Sequence, residues 1–165
     1  MHIERAMSLI KPIGIEMNLG DMLSDYLRKN SVWVLKRTFI EGLTENEAIK
    51  IYHEDFEKLS QISLLYPRGV IETMTCGPVE VIEIEGFDSR NILRRVIGSV
   101  ENPSDTIRWN LANRVENNKR LTKMLEKQIS LPFDRAILIA NGIHGTKDEK
   151  EFAIMNNLDL FQETR

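Results

Sequence analysis

The order of hydrophobic patterns along this chain predicts an α/β (α+β) fold: a four-stranded antiparallel sheet in a ferredoxin-like, split βαβ arrangement, covered by helices. Two observations carry the prediction. Short runs rich in β-branched and aromatic residues alternate with segments whose apolar residues recur every three or four positions, and a helical pattern follows both the first and the third run. Length and composition agree with this. A chain of 165 residues with 42% apolar content can bury a core as one domain over residues 1–165, without a disulfide or structural metal.

The elements are justified in order. Residues 5–10, Arg-Ala-Met-Ser-Leu-Ile, read as a strand stopped by Lys11-Pro12, because proline cannot donate to a ladder. Asn18 then caps a helix whose apolar face is Leu19, Met22, Leu23, Tyr26 and Leu27. Val32 to Ile40 is the second strand, and Thr44-Glu45-Asn46-Glu47 is a capping box that opens the next helix. Residues 53–74 hold one or two short helices broken near Pro67. Val79 to Ile84 is the third strand, and Asp88 caps a helix that buries Ile92, Leu93, Val96 and Ile97. Asn102-Pro103-Ser104 interrupts the chain before a short helix through Thr106, Ile107 and Arg108. From Asn113 to Gln128 the sequence is polar, yet Leu121, Met124, Leu125 and Ile129 share one face, which predicts a surface helix. Arg135 to Ala140 is the last strand. A histidine loop follows, and Thr146-Lys147-Asp148-Glu149 forms a second capping box, for a helix containing Phe152 and Met155.

Composition narrows the chemistry. The single cysteine, Cys76, cannot form an internal disulfide, and no cysteine and histidine spacing suggests zinc, so a reducing, cytoplasmic setting is expected with Cys76 buried and inert. No apolar run approaches the roughly 20 residues of a membrane helix, and the N-terminus lacks the layout of a signal peptide. A net charge of −3 disfavours a broad nucleic-acid footprint. Neither a membrane nor a nucleic-acid partner is expected.

The motif with the most chemical content is Asn141-Gly142-Ile143-His144-Gly145. A histidine between glycines at a strand end presents an imidazole at a rigid edge with open space for an anion, and imidazole accepts protons or phosphoryl groups near neutral pH. The predicted sheet makes the first and third strands central neighbours. Lys11, Arg94, Arg108 and His144 could therefore reach one pocket, although each also has a plain reading as a strand end, a solvated helix face, a surface ion pair or a loop residue.

Taken as a set, these residues resemble the nucleoside diphosphate kinases. The resemblance rests on Ile10-Lys11-Pro12 with Gly14, Tyr52, Cys76-Gly77-Pro78-Val79, Glu85-Gly86, Asn102-Pro103, Thr106-Ile107-Arg108 and Asn141-Gly142-Ile143-His144-Gly145, in that order, over about residues 4–161. It implies that His144 attacks the γ-phosphate of a nucleoside triphosphate, becomes phosphohistidine and passes the group to a nucleoside diphosphate. Lys11, Arg94 and Arg108 would neutralise phosphate charge, Lys11 and Tyr52 would bond ribose or phosphate, Asn141 would bond the ribose end, and Phe56 would stack on the base, with Leu59 or Leu64 as alternatives. Glu151 would orient His144, Asp148 or Glu149 being the alternatives. Mg²⁺ would ride on the phosphates of ATP and other nucleotides, held by no protein ligand set.

The departures from the family pattern are specific. Ile13 stands where an aspartate is usual, Thr146-Lys147 replaces Ser-Asp, Val100-Glu101 replaces a threonine, and Glu151 lies about one helical turn closer to His144. The loop at 103–106 is short, and about residues 113–132 are an inserted helical segment, expected to pack over or beside the mouth of the cleft. A dimer-based homo-oligomer is implied, without assurance of a hexamer. The same departures admit a second reading, a nucleotide-binding regulator or scaffold with weak or no turnover.

Overall fold

The computed structural model describes residues 2–62, 64, 66–98, 106–128, 142–158 and 160. Its sheet has the order β2-β3-β1-β4, with β1 Ile3–Ile10, β2 Val32–Ile40, β3 Val79–Phe87 and β4 Ile143–Gly145. Every neighbouring pair is antiparallel, which is the split βαβ sheet the sequence predicts. The helices among the described residues are α1 Pro12–Glu16, α2 Leu19–Lys29, α3 Glu45–Tyr52, α4 Phe56–Ile62, α5 Tyr66–Thr75, α6 Ser89–Ile97, α7 Ile107–Glu116, α8 Lys119–Gln128 and α9 Glu149–Asn157. No helix among these residues is long and apolar enough to cross a membrane.

Alternation along the strands divides the core in two. Ala6, Ile10, Ile82, Ile84 and Ile143 face α2, α6, α7 and α8, where Leu23, Leu93, Leu111 and Leu125 meet them. Met7, Leu9, Val79 and Val81 face the opposite way, against Ile51, Tyr52, Val70, Met74 and Met155 of α3, α5 and α9. Register then decides where His144 points. His144 is opposite Leu9 in the β1/β4 pair, and cross-strand partners share a face, so the imidazole lies on the side covered by α3 and α9.

Several elements differ from the sequence reading. His144 lies within a strand and not in a loop beyond one: β4 pairs with the free edge of β1, fixed by Ser8 Oγ donating to the His144 carbonyl (2.8 Å) and by Thr146 N–H donating to Met7 O (2.9 Å). The expected strand at Arg135 to Ala140 lies outside the described residues. The polar stretch forms two helices, because Asn117 ends α7 and the Asn118 carboxamide oxygen accepts from the N–H groups of Arg120 and Leu121 at the start of α8. Thr146 does not cap α9. Its hydroxyl accepts from Met7 N–H in the sheet, and Asp148 caps the helix through Glu151 N–H.

Asn18 and Asp88 stand at the predicted helix starts but adopt left-handed backbone, with φ of 58° and 55°, and make no side-chain cap. Side-chain capping needs extended backbone at that position, whereas Asn and Asp tolerate the left-handed region well. The capping box at Thr44 and Glu47 forms as predicted. The two short helices expected over 53–74 form as α4 and α5 and separate near Pro67, which sits in the first turn of α5, where its missing N–H costs nothing. Lys11-Pro12 likewise ends β1 and opens α1, a short helix that strand and helix patterns alone do not announce.

Candidate active site

Lys11 follows β1 directly, and its N–H donates to Gly142 O at 3.0 Å, carrying the β1/β4 pairing one step further. The next residues turn into α1, so the side chain cannot continue along an exposed edge. It is fully buried, with Nζ 5.3 Å from the centre of the Tyr52 ring. Burial, reinforced by the positive charge of Arg108 and opposed by Cys76, lowers the Lys11 pKa from 10.5 to about 7. A lysine so placed favours an anionic partner, because a nearby negative charge offsets the desolvation that depresses it.

His144 is 5% exposed, which replaces the open surroundings expected for it. The flanking glycines serve close packing. A Cβ on Gly142 would stand 2.1 Å from Leu111 Cδ2, and one on Gly145 would stand 2.6 Å from Ile97 Cδ1, so both glycines let helices press against β4. The imidazole lies between two side chains. Tyr52 packs on it with ring centres 4.7 Å apart, and Glu151 Oε1 stands 3.1 Å from Nε2. Nε2 and Oε1 are both buried and neither makes a well-aligned hydrogen bond among the described residues, so the 3.1 Å approach is an electrostatic pairing of the two.

Glu151 reaches this position because it is the third residue of α9. Its backbone N–H is held by the Asp148 cap at 2.8 Å, and its other oxygen, Oε2, accepts from Lys147 N–H at 2.6 Å. Burial pushes the Glu151 carboxyl up, but attraction to His144, hydrogen bonds from His144 and the Lys147 backbone, and the Lys147 charge outweigh it and hold the pKa below the ordinary glutamate range. The structure brings Glu151, and not Asp148 or Glu149, to His144. Asp148 caps the helix, and Glu149 pairs with Arg90 on the exposed surface.

Arg108 sits in the first turn of α7, which Thr106 caps. Its guanidinium donates to Gly98 O at 2.8 Å and to Ile143 O at 3.3 Å, tying α7 to the end of α6 and to the strand that carries His144. α7 supplies Arg108 and the Leu111 contact to Gly142, while α8 meets α1 just after Lys11 through an Arg120–Glu16 ion pair.

Other expected residues lie apart from this group. Arg94 is exposed in the last turn of α6 and makes no hydrogen bond or ion pair with the group among the described residues. Phe56 opens α4 and is half-buried against the second core cluster; Leu64 is 89% exposed. Asn141 and the segments 99–105 and 129–141 lie outside the described residues. Cys76, expected to be buried, is exposed as a residue, although burial around its thiol pushes the pKa up.

Three contributors escape a reading of sequence alone: Ser8, Thr146 and Lys147. A serine amid the apolar residues of β1 was the available signal for Ser8. For the other two, the signal was the pair of residues that departs from the family pattern.

Among the described residues, no group of three or more His, Cys, Asp or Glu is placed to hold a metal ion. The one carboxylate at His144 is occupied by the imidazole. Two cations, a phenol and a held imidazole fit a phosphate chain better than a bare cation.

Comparison with known proteins bears on the family and the fold. No family model matches the chain. A nucleoside diphosphate kinase of Staphylothermus marinus is 34% identical over 112 residues, covering 66% of this chain and 74% of the relative. One from Saccharolobus solfataricus is 29% identical over 146 residues, covering 84% of this chain and 100% of the relative. Among solved structures, the nucleoside-diphosphate kinase of Borrelia burgdorferi, a transition state mimic with bound vanadate and ADP, superposes with a TM-score of 0.67 at 17% identity, over 98% of this chain and 88% of that one. The Halobacterium salinarum enzyme in complex with CDP gives 0.61 at 23% identity, over 98% and 89%. These two structures bear on the fold, and the sequence relatives bear on descent. Relatives and fold converge: the chain belongs to the nucleoside diphosphate kinase family.

Proposed function

We propose that the protein is a nucleoside diphosphate kinase that carries the γ-phosphoryl group of a nucleoside triphosphate on His144 and delivers it to a nucleoside diphosphate. The observation that supports this best is the His144–Glu151 pair. With a proton on Nε2 facing the carboxylate, the lone pair is on Nδ1, and Nδ1 is the nitrogen for attack. The N–P bond forms as the bond from γ-phosphorus to its bridging oxygen breaks, and that electron pair leaves with the diphosphate. The second half runs in reverse, with a terminal oxygen of another diphosphate attacking phosphohistidine. Glu151 stabilises the imidazolium character that develops during transfer.

Phosphoryl transfer needs alignment and charge neutralisation above all. Lys11 and Arg108 supply positive charge, and Tyr52 supplies a hydroxyl for ribose or phosphate. Arg94, from its exposed turn, closes on the phosphates when nucleotide binds, Asn141 bonds the ribose end, and Phe56 borders the base. Mg²⁺ enters as part of the substrate, held by the phosphates and water, where it offsets negative charge. All of this belongs to one domain.

The protein works in the cytoplasm as a homo-oligomer built on a dimer. Strand β2 is a sheet edge carrying Trp33 at 63% and Phe39 at 62% exposure, which supports a contact between copies there. Initial-rate kinetics with one triphosphate and a different diphosphate test the proposal. Parallel double-reciprocal lines are expected, as for any substituted-enzyme mechanism, and intersecting lines would contradict it.

A further inference from the structure

Lys147 lies where two supports of His144 meet. Its N–H holds Glu151 Oε2 at 2.6 Å, while its Nζ donates to Asp55 Oδ1 at 3.0 Å and lies 3.5 Å from Glu54 Oε2. Asp55 is fixed to the end of α3, because its N–H donates to Tyr52 O at 2.8 Å. Tyr52 in turn packs on the imidazole, and Glu151 Oε1 stands 3.1 Å from its Nε2. The contacts close a ring: His144, Tyr52, Asp55, Lys147, Glu151 and back to His144. We propose that Lys147 is a positioning residue, a strut that fixes the distance between the Tyr52 side and the Glu151 side of the imidazole and thereby holds His144 in one tautomer and one orientation. This rests on the reading of His144 as phosphoryl carrier.

An isolated surface ion pair would be a weak strut, worth about 0–1 kcal/mol. This one differs in three ways. The Lys147 and Asp55 side chains are each only 24% exposed. Lys150, the second residue of α9, pairs with Glu54, so the turn after α3 and the start of α9 are joined twice. The residue that makes the ion pair also makes the backbone bond to Glu151, so a shift of Lys147 moves the carboxylate with no intermediate. The charged groups facing its ammonium are Asp55 and Glu54 from the turn after α3 and Glu151 from α9.

The test uses the full chain with Lys147→Met, Lys147→Arg, Asp55→Asn and the double variant Lys147→Met/Asp55→Asn. Single-turnover labelling with ATP should show Lys147→Met slowed on the order of tenfold at saturating nucleotide, with the ATP dissociation constant within about twofold of wild type. Lys147→Arg should recover most of the rate, and the double variant should be no slower than Lys147→Met, since both remove one contact. Nitrogen NMR of the imidazole gives a readout independent of turnover. Wild type should show one tautomer with the proton on Nε2, and Lys147→Met a mixture. An unchanged spectrum with an unchanged rate would overturn the proposal, as would a loss confined to melting temperature. If wild type takes up no phosphate while the imidazole spectrum responds to Lys147, the kinase reading fails and the strut stands.

Discussion

His144 Nε2 and Glu151 Oε1 lie 3.1 Å apart, with side chains only 6% and 3% exposed, so one ring nitrogen of a buried histidine faces a buried carboxylate. On the proposed mechanism this pairing chooses the attacking nitrogen. Glu151→Gln keeps the size of the side chain but removes the charge that stabilises a developing imidazolium. Transfer should slow by about 10- to 100-fold with little change in nucleotide affinity, measured as kcat against KM.

Lys11 gives stability a definite pH dependence. Its pKa falls from 10.5 in the unfolded chain to about 7 in the fold, chiefly through burial. Between these values the unfolded chain binds one more proton than the native protein, so stability contributed by this group rises with pH from about 7 to 10.5. Below about 7 both states are protonated and the full cost of burying the charge is present, on the order of 5 kcal/mol across the window. Urea unfolding of wild type and Lys11→Met between pH 6.5 and 9 should show the variant losing most of this slope. Identical slopes would contradict the assignment.

On the proposed function the same lysine should couple nucleotide binding to protons. A polyphosphate beside Lys11 favours its charged form, so binding above pH 7 should take up a proton and weaken as pH rises. Calorimetry of ADP binding in buffers of different ionisation enthalpy reads the uptake directly. Lys11→Met should abolish the buffer dependence that this group contributes.

Gly142 and Leu111 form a size-matched pair between β4 and α7. A Cβ at Gly142 would lie 2.1 Å from Leu111 Cδ2, so Gly142→Ala should destabilise the protein by about 1–3 kcal/mol through overpacking. Leu111→Ala alone should cost about 2–5 kcal/mol through the cavity it leaves. The double variant should cost less than the sum of the two, as read by chemical denaturation, because each change relieves part of the other's fault.

The legible part of this protein was what local pattern determines. The strand and helix order, the Thr44 capping box and the edge of β1 at Lys11-Pro12 follow from periodicity and backbone chemistry, and the split sheet follows from their order. What pattern could not show depends on contacts between distant segments. Thr146 looks like a cap, yet the edge of β1 competes for its hydroxyl, and the sheet wins. The glycines around His144 look like room for a ligand, yet α6 and α7 fill that room. Glu151, nearer to His144 in sequence than the family pattern, still reaches it because Asp148 starts α9 late enough to bring the third helical residue beneath the imidazole. Lys147 looked only like a departure, since the partner that gives it meaning, Asp55, lies 92 positions away.

The most direct measurement is incubation of the full-length protein with γ-labelled ATP and Mg²⁺, without acceptor, followed by acid and alkali treatment. Wild type should carry label that acid removes and alkali spares, up to one phosphate per chain, discharged at once by an added diphosphate such as GDP; His144→Ala should carry none. Normal ATP binding without label in the wild type, or equal label in His144→Ala, would contradict a phosphoryl group carried on His144.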